Sequence, residues 1–192
     1  MIDTGFVIAN GSSRKGYDLR QNFLDGLIYG CNAIHRDINL QYLTITKRPH
    51  LLEAISWNVD KKSKIFTTAK LASQLRNPNL NIIPDPQFPH YGQIHSGTGA
   101  ALVAAHNHSN IFLFGFDFYL SNSIYLDTEN YIQPVTDEVV NRMPKHAQEI
   151  GNLCAYYEEC NFTFVNDEQE LPEVIAINKN VKSIKYNDLD FA

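Results

Sequence analysis

Short apolar runs alternate with polar loops and helical segments along this chain, and few architectures accept that pattern. Gly5-Phe-Val-Ile-Ala9 reads as a short buried strand ending in the polar loop Asn10-Gly-Ser-Ser-Arg-Lys-Gly16. A second short strand near Leu27–Gly30 runs into Cys31-Asn32-Ala-Ile-His-Arg-Asp37. Tyr42–Thr46, Lys64–Thr67 and Asn81–Ile83 read as further strands. Pro49 suits the first turn of a helix predicted over His50 to Asn58. Ala100 to Ala105 is apolar around its whole circumference, which predicts a helix buried against a sheet, beginning at Ser96-Gly97. Asn110–Gly115 has a central-strand pattern, and Asn161–Val165 reads as the last core strand. Between them Pro144 is expected to open a helix on which Ile150, Leu153, Cys154 and Tyr157 recur at helical spacing.

Alternation of this kind implies parallel strands joined by helical crossovers. The expected fold is α/β: a single-domain, doubly wound, mostly parallel sheet of Rossmann-like type over residues 1–192. Two segments escape the pattern. A lid-like stretch is expected at about 116–143, and residues 166–192 are polar apart from Val174–Ile177 and are not placed. The three prolines of Pro84-Asp-Pro-Gln-Phe-Pro89 exclude regular structure there.

Composition narrows the function classes. The chain has 192 residues, 44% hydrophobic and 19% charged, which fits one core-forming domain and not a disordered chain. Its net charge of -5 supplies no global field for nucleic acid, which is therefore not an expected partner, although a local basic patch such as Lys61-Lys-x-Lys64 could touch a phosphate backbone. No apolar run is long enough for a membrane span, and the first ten residues lack a signal-peptide pattern. Cys31, Cys154 and Cys160 are too few and too badly spaced for a zinc site or a disulfide framework, so a cytoplasmic setting is expected. A homo-oligomer is compatible with the sequence and not required by it.

In doubly wound sheets ligands bind at the carboxyl ends of the strands. The residues of interest are therefore Asn10, Ser12 and Ser13 after the first strand, Asn32 after the second, Ser96 and Gly97 at a helix N-terminus, and Asp117, Tyr119 and Tyr125 after Asn110–Gly115. Asparagine amides both donate and accept, helix N-termini offer free N–H groups, and tyrosine hydroxyls donate without adding charge. Each also has a plain structural reading: Asn10-Gly11 as a turn, Ser96 as an N-cap, the tyrosines as packing residues.

Taken in order, Ser96-Gly-Thr-Gly-Ala100, Ile111-Phe-Leu-Phe-Gly-Phe-Asp-Phe-Tyr119, Ser123-Ile-Tyr125 and Asp127-Thr128 resemble the core of the family 42 bacterial sialyltransferases. Asn10-Gly-x-Ser13 with Lys15, and Cys31-Asn32, match that family in kind and order. The resemblance covers roughly residues 5 to 165. It extends to small phage-encoded proteins of unknown activity that share the Tyr29-Gly-Cys-Asn-Ala-Ile-His-Arg-Asp37 type of motif. It implies a glycosyltransferase type A variant of the fold, a CMP-sugar donor as substrate, no cofactor and no metal. It also implies an acceptor hydroxyl, of unknown molecule, attacked with inversion. Asn10 and Asn32 would contact the cytidine and ribose, Ser96 and Gly97 would hold the nucleotide, and Tyr119 and Tyr125 would donate to the leaving phosphate. The general base would be His146, with His95 in reserve; Met143-Pro-Lys-His146 also reads as a helix first turn with a surface histidine.

The chain departs from the family in places. The stretch from Asn32 to Ser96 is shorter, the lid is small, and His95 stands before Ser96 where no arginine of the family's kind precedes the pair. A non-catalytic nucleotide-binding module, or a transferase acting on modified DNA bases, stays open beside the sugar transferase. Other signals carry less. His106-x-His108 does not share a helix face, Asp188-Leu-Asp190 does not follow a core strand, and Gly97-x-Gly99 lacks a third glycine.

Overall fold

The computed structural model describes residues 3–14, 26–84, 88, 94–118, 137–167 and 170–189, with the backbone alone described for 137–142. Five strands lie in the first half of the chain: β1 (Thr4–Ile8), β2 (Leu27–Cys31), β3 (Tyr42–Thr44), β4 (Lys64–Thr67) and β5 (Leu80–Ile82). Three follow: β6 (Asn110–Phe114), β7 (Asn161–Val165) and β8 (Val181–Ile184). Together they form one sheet of order β5-β4-β3-β2-β1-β6-β7-β8, and every neighbouring pair is parallel. The doubly wound α/β architecture expected from the alternation is the one observed.

Strand residues alternate between faces, and each face meets its own helices. Val7, Leu113, Phe162 and Phe164 join the core built with α3 (Ser96–Ala105), α4 (Asp137–Tyr156) and α5 (Glu173–Ala176). Ile8, Leu43, Ile65 and Phe114 join the core built with α1 (Arg48–Ser56) and α2 (Ala69–Leu75). All ten residues of α3 are buried, which is why its sequence is apolar on every side. It packs against β1, β2, β3 and β6 and carries the chain from the outer strand β5 back to the centre of the sheet.

Two elements differ from the sequence expectation. Helix α4 begins at Asp137, and Pro144 lies inside it instead of opening it. The proline forfeits one bond to residue 140. The C-terminal segment contains α5 and the edge strand β8, in register with β7 from Phe162↔Val181 to Val165↔Ile184. Lys182 and Ser183 of β8 are exposed, so no apolar run marks it. Asn180 fastens this segment: its Nδ2 lies 2.9, 3.0 and 2.9 Å from the carbonyl oxygens of Cys154, Tyr157 and Cys160, in the last turn of α4 and the loop after it.

The division of residues 1–192 into a lid and a body falls largely outside the described residues. No helix among the described residues is long and apolar enough to cross a membrane.

Candidate functional site

Strand order reverses between β1 and β6, and the crevice of a doubly wound sheet opens outside the carboxyl ends at such a point. The backbone closes tightly there. Ala9 N–H donates to Phe114 O at 2.8 Å and Gly11 N–H to Gly115 O at 2.9 Å, so the two loops continue the pairing past the strands. Gly115 has a φ of +67°, and a Cβ there would stand 2.8 Å from the Ala9 carbonyl oxygen. A Cβ on Gly11 would stand 2.4 Å from Gly115 O and 2.5 Å from the Asp117 carboxyl carbon. Side chains are excluded from both positions by this close approach.

Asp117 reaches across from the β6 loop to the β1 loop. Its Oδ2 accepts the Ser13 backbone N–H at 2.9 Å and the Ser12 hydroxyl at 3.3 Å. Arg14 follows, and although charged it is only 6% exposed. Its Nε donates to Ala9 O at 2.9 Å and its Nη2 to Asp37 Oδ2 at 3.0 Å. Asn10 and Asn32 stand at the mouths of the adjacent parallel strands β1 and β2. The Asn10 Nδ2 donates to Cys31 O at 3.1 Å, so that amide braces the two strands. Asn32 adopts a φ of +53°, a left-handed conformation uncommon for a residue with a Cβ and often found at functional sites.

Ser96 and Gly97 open α3 at the same edge. The Ser96 hydroxyl accepts the Thr46 N–H at 3.0 Å and lies 2.9 Å from the Thr46 hydroxyl, tying α3 to the loop after β3. The expected attraction of this helix end for an anion meets a prior occupant. Glu149 of α4, 1% exposed, places its Oε2 3.2 Å from the His95 N–H, 2.8 Å from His95 Nδ1 and 3.1 Å from the Thr98 hydroxyl. Burial pushes the Glu149 carboxyl up. Hydrogen bonds from His95 and Thr98 and the His95 charge outweigh it and hold the group below its ordinary value.

His146 stands beside the same helix start. Its Nε2 is 3.4 Å from where a Cβ on Gly97 would lie, and its ring packs 5.0 Å from His95, 6.4 Å from Phe116 and 6.0 Å from Phe118, centroid to centroid. Burial, then the neighbouring His95, push His146 down to about 4, against a smaller pull from Glu149. The imidazole is therefore neutral at pH 7. Among the described residues, Ser13 Oγ, Asn32 Oδ1, Asp117 Oδ1 and His146 Nε2 are covered atoms without a hydrogen-bond partner. Each such atom costs about 1–3 kcal/mol until something supplies a partner.

The structure thus brings Asn10, Ser12, Ser13, Asn32, Ser96, Gly97, Asp117 and His146 to the carboxyl edge of one sheet. Tyr119 and Tyr125 lie outside the described residues. Sequence reasoning passed over Arg14, Thr46, Thr98 and Glu149. Arg14 looks like a surface charge between Ser13 and Lys15. For Glu149 a signal existed: it stands three residues after His146 and four before Leu153, so helical spacing turns it toward both.

Fold and edge together define a Rossmann-like, doubly wound α/β domain with its crevice at the β1/β6 reversal. No family model matches this sequence, and no curated protein matches it. Among solved structures the chain is similar to the sialyltransferase CstII from Campylobacter jejuni in complex with a substrate analogue, CMP-3FNeuAc. The TM-score is 0.53 at 17% identity, covering 84% of this chain and 80% of that one. CstII with cytidine-5'-monophosphate gives a TM-score of 0.53 at 15% identity, covering 95% of this chain and 88% of the other. These likenesses establish the shared fold.

Proposed function

We propose that this protein is a glycosyltransferase-like enzyme that binds a CMP-type activated sugar at the β1/β6 crevice. It transfers the sugar to an acceptor hydroxyl with inversion, without a metal. The observation that carries this reading is the set of covered, unpartnered polar atoms of Ser13, Asn32, Asp117 and His146 at the ligand-binding edge. A nucleotide would supply their partners. The similar fold of CstII, described in complex with CMP and with a CMP-sugar analogue, supports cytidine as the base.

In this reading Asn32 and Ser13 meet the cytidine and ribose, and Asn10 and Ser12 hold the loops that carry them. Gly97 lets the ligand approach α3. Glu149 already supplies negative charge at that helix end, so the ligand group beside Ser96 and Gly97 is a neutral hydroxyl and not the phosphate. Tyr119 and Tyr125 donate to the leaving phosphate, where charge builds as the sugar–phosphate bond breaks.

Thermal unfolding with CMP, UMP, AMP and NAD tests the reading. CMP near 100 times its Kd is expected to add about 2.7 kcal/mol of stability, and NAD none. No shift with any nucleotide sinks it. A non-catalytic module on the same fold is the second reading, favoured by a His146 too weakly basic at about 4 to serve alone as a base at neutral pH. Slow hydrolysis of a CMP-sugar separates the two.

A further inference from the structure

We propose that His95 is the general base of this site and that Glu149 is its positioning carboxylate; the inference rests on the transferase reading above. The geometry begins with the 2.8 Å contact between His95 Nδ1 and Glu149 Oε2. Glu149 is held in its ionised form, and an ionised carboxylate only accepts hydrogen bonds. His95 Nδ1 therefore carries a proton and donates it, so that in the neutral imidazole the lone pair lies on Nε2, on the far side of the ring from Glu149. The same Oε2 also accepts the His95 backbone N–H at 3.2 Å and the Thr98 hydroxyl at 3.1 Å. Those bonds hold the carboxylate in place at the start of α3, where it fixes the imidazole's tautomer and orientation.

His95 is also placed to be reached. Its side chain is 34% exposed while that of Glu149 is 2% exposed. A buried carboxylate behind a half-buried imidazole is the arrangement in which a histidine can take a proton and have the resulting charge stabilised at once. His146 is also only partly buried, but what its ring nitrogen meets is different. Its Nε2 is covered and unpartnered, and its ring is wedged against Phe116, Phe118 and His95. Among the described residues, no carboxylate is hydrogen-bonded to that nitrogen to pair with a positive charge formed there. The titratable groups that meet His95 among the described residues are Glu149 and His146, both on α4.

The step follows. His95 Nε2 removes the proton of the acceptor hydroxyl, or of water when no acceptor is bound. The acceptor oxygen forms its bond to the anomeric carbon of the donor. The bond from that carbon to the phosphate oxygen breaks, with its electron pair going to the phosphate. The nucleoside monophosphate leaves, and the imidazolium is paired with Glu149. His146 acts as a neutral wall of the pocket.

Two measurements on the full chain test this. The first uses no substrate: nitrogen-15 NMR of the imidazoles in the free protein at neutral pH. His95 is expected as the Nδ1–H tautomer in the wild type, with that preference lost in Glu149→Gln; an Nε2–H tautomer in the wild type overturns the proposal. The second is hydrolysis of CMP-N-acetylneuraminate between pH 5 and 9. His95→Asn is expected to lower kcat by about 10²–10⁴-fold and to abolish the acidic limb of the profile while CMP still binds. Glu149→Gln is expected to lower kcat at least about tenfold, with partial recovery in Glu149→Asp. An acidic limb that survives in His95→Asn and disappears in His146→Asn overturns the role of His95 and leaves the transferase reading standing. A wild-type protein that binds no CMP overturns that reading, and the catalytic role with it, whatever the tautomer.

Discussion

The carboxylate of Asp117, on the loop after β6, accepts the backbone N–H of Ser13, on the loop after β1, at 2.9 Å. This bond spans the point where strand order reverses, so it holds the two walls of the crevice in register. Asp117→Ala leaves the Ser13 N–H and the Ser12 hydroxyl without their acceptor. The expected loss is about 1–3 kcal/mol of stability, read from urea unfolding, with Asp117→Asn milder because its amide oxygen can still accept.

Arg14 and Asp37 form a second brace, 3.0 Å apart, with the arginine buried and the aspartate partly exposed. Removing the aspartate strands a charge in a covered place. Asp37→Ala is expected to destabilise by about 1–3 kcal/mol, less than for a fully buried pair because water reaches the carboxylate side. Raising salt should change the wild type little, since Arg14 is screened from solvent. A loss below a few tenths of a kcal/mol in denaturant unfolding would show that Arg14 is held by its bond to Ala9 O alone.

Asn32 places a covered, unpartnered Oδ1 at the mouth of β2 on a left-handed backbone. Asn32→Ala is expected to weaken CMP binding by about 1–3 kcal/mol, because a ligand donor loses its acceptor. Asn32→Gly relieves the backbone but not the missing group, so it should raise stability relative to Asn32→Ala without restoring affinity. Calorimetric titration of the three proteins with CMP checks both halves.

His146 sets a pH dependence of stability whose sign can be worked out. Its value in the folded protein is about 4, below the ordinary 6.5. Between those values the unfolded chain binds more protons than the folded one, so stability is full above about pH 6.5 and falls as pH drops toward 4. His35 and His50 are lowered in the same direction, chiefly by burial, and add to the loss of stability below the ordinary histidine value. The part due to His146 is therefore the difference between wild type and His146→Gln, whose unfolding free energy should fall less steeply over that range. Parallel curves for the two proteins would show that His146 is not covered in solution.

Much of this protein is legible in one dimension. The central strands β1, β2, β6 and β7 are short runs rich in apolar residues, and α3 is largely apolar because both its neighbours and its position are internal. Burial writes itself into composition, so the doubly wound class and the loops that face the crevice follow from the chain alone. What composition does not record is pairing. Pro144 reads as a helix start because a proline is costly inside a helix; only the folded chain shows that α4 tolerates that cost. Edge strand β8 has exposed central residues and is recognisable only by its register with β7. Helical spacing puts Glu149 on the inner face with Leu153, but its partners His95 and Thr98 are set only when α4 crosses the start of α3. The sequence determined which residues are apolar and where loops fall, because those properties belong to each side chain. The tertiary structure decided which of two histidines has a carboxylate behind it, because a hydrogen bond between residues 54 apart exists only once helices pack.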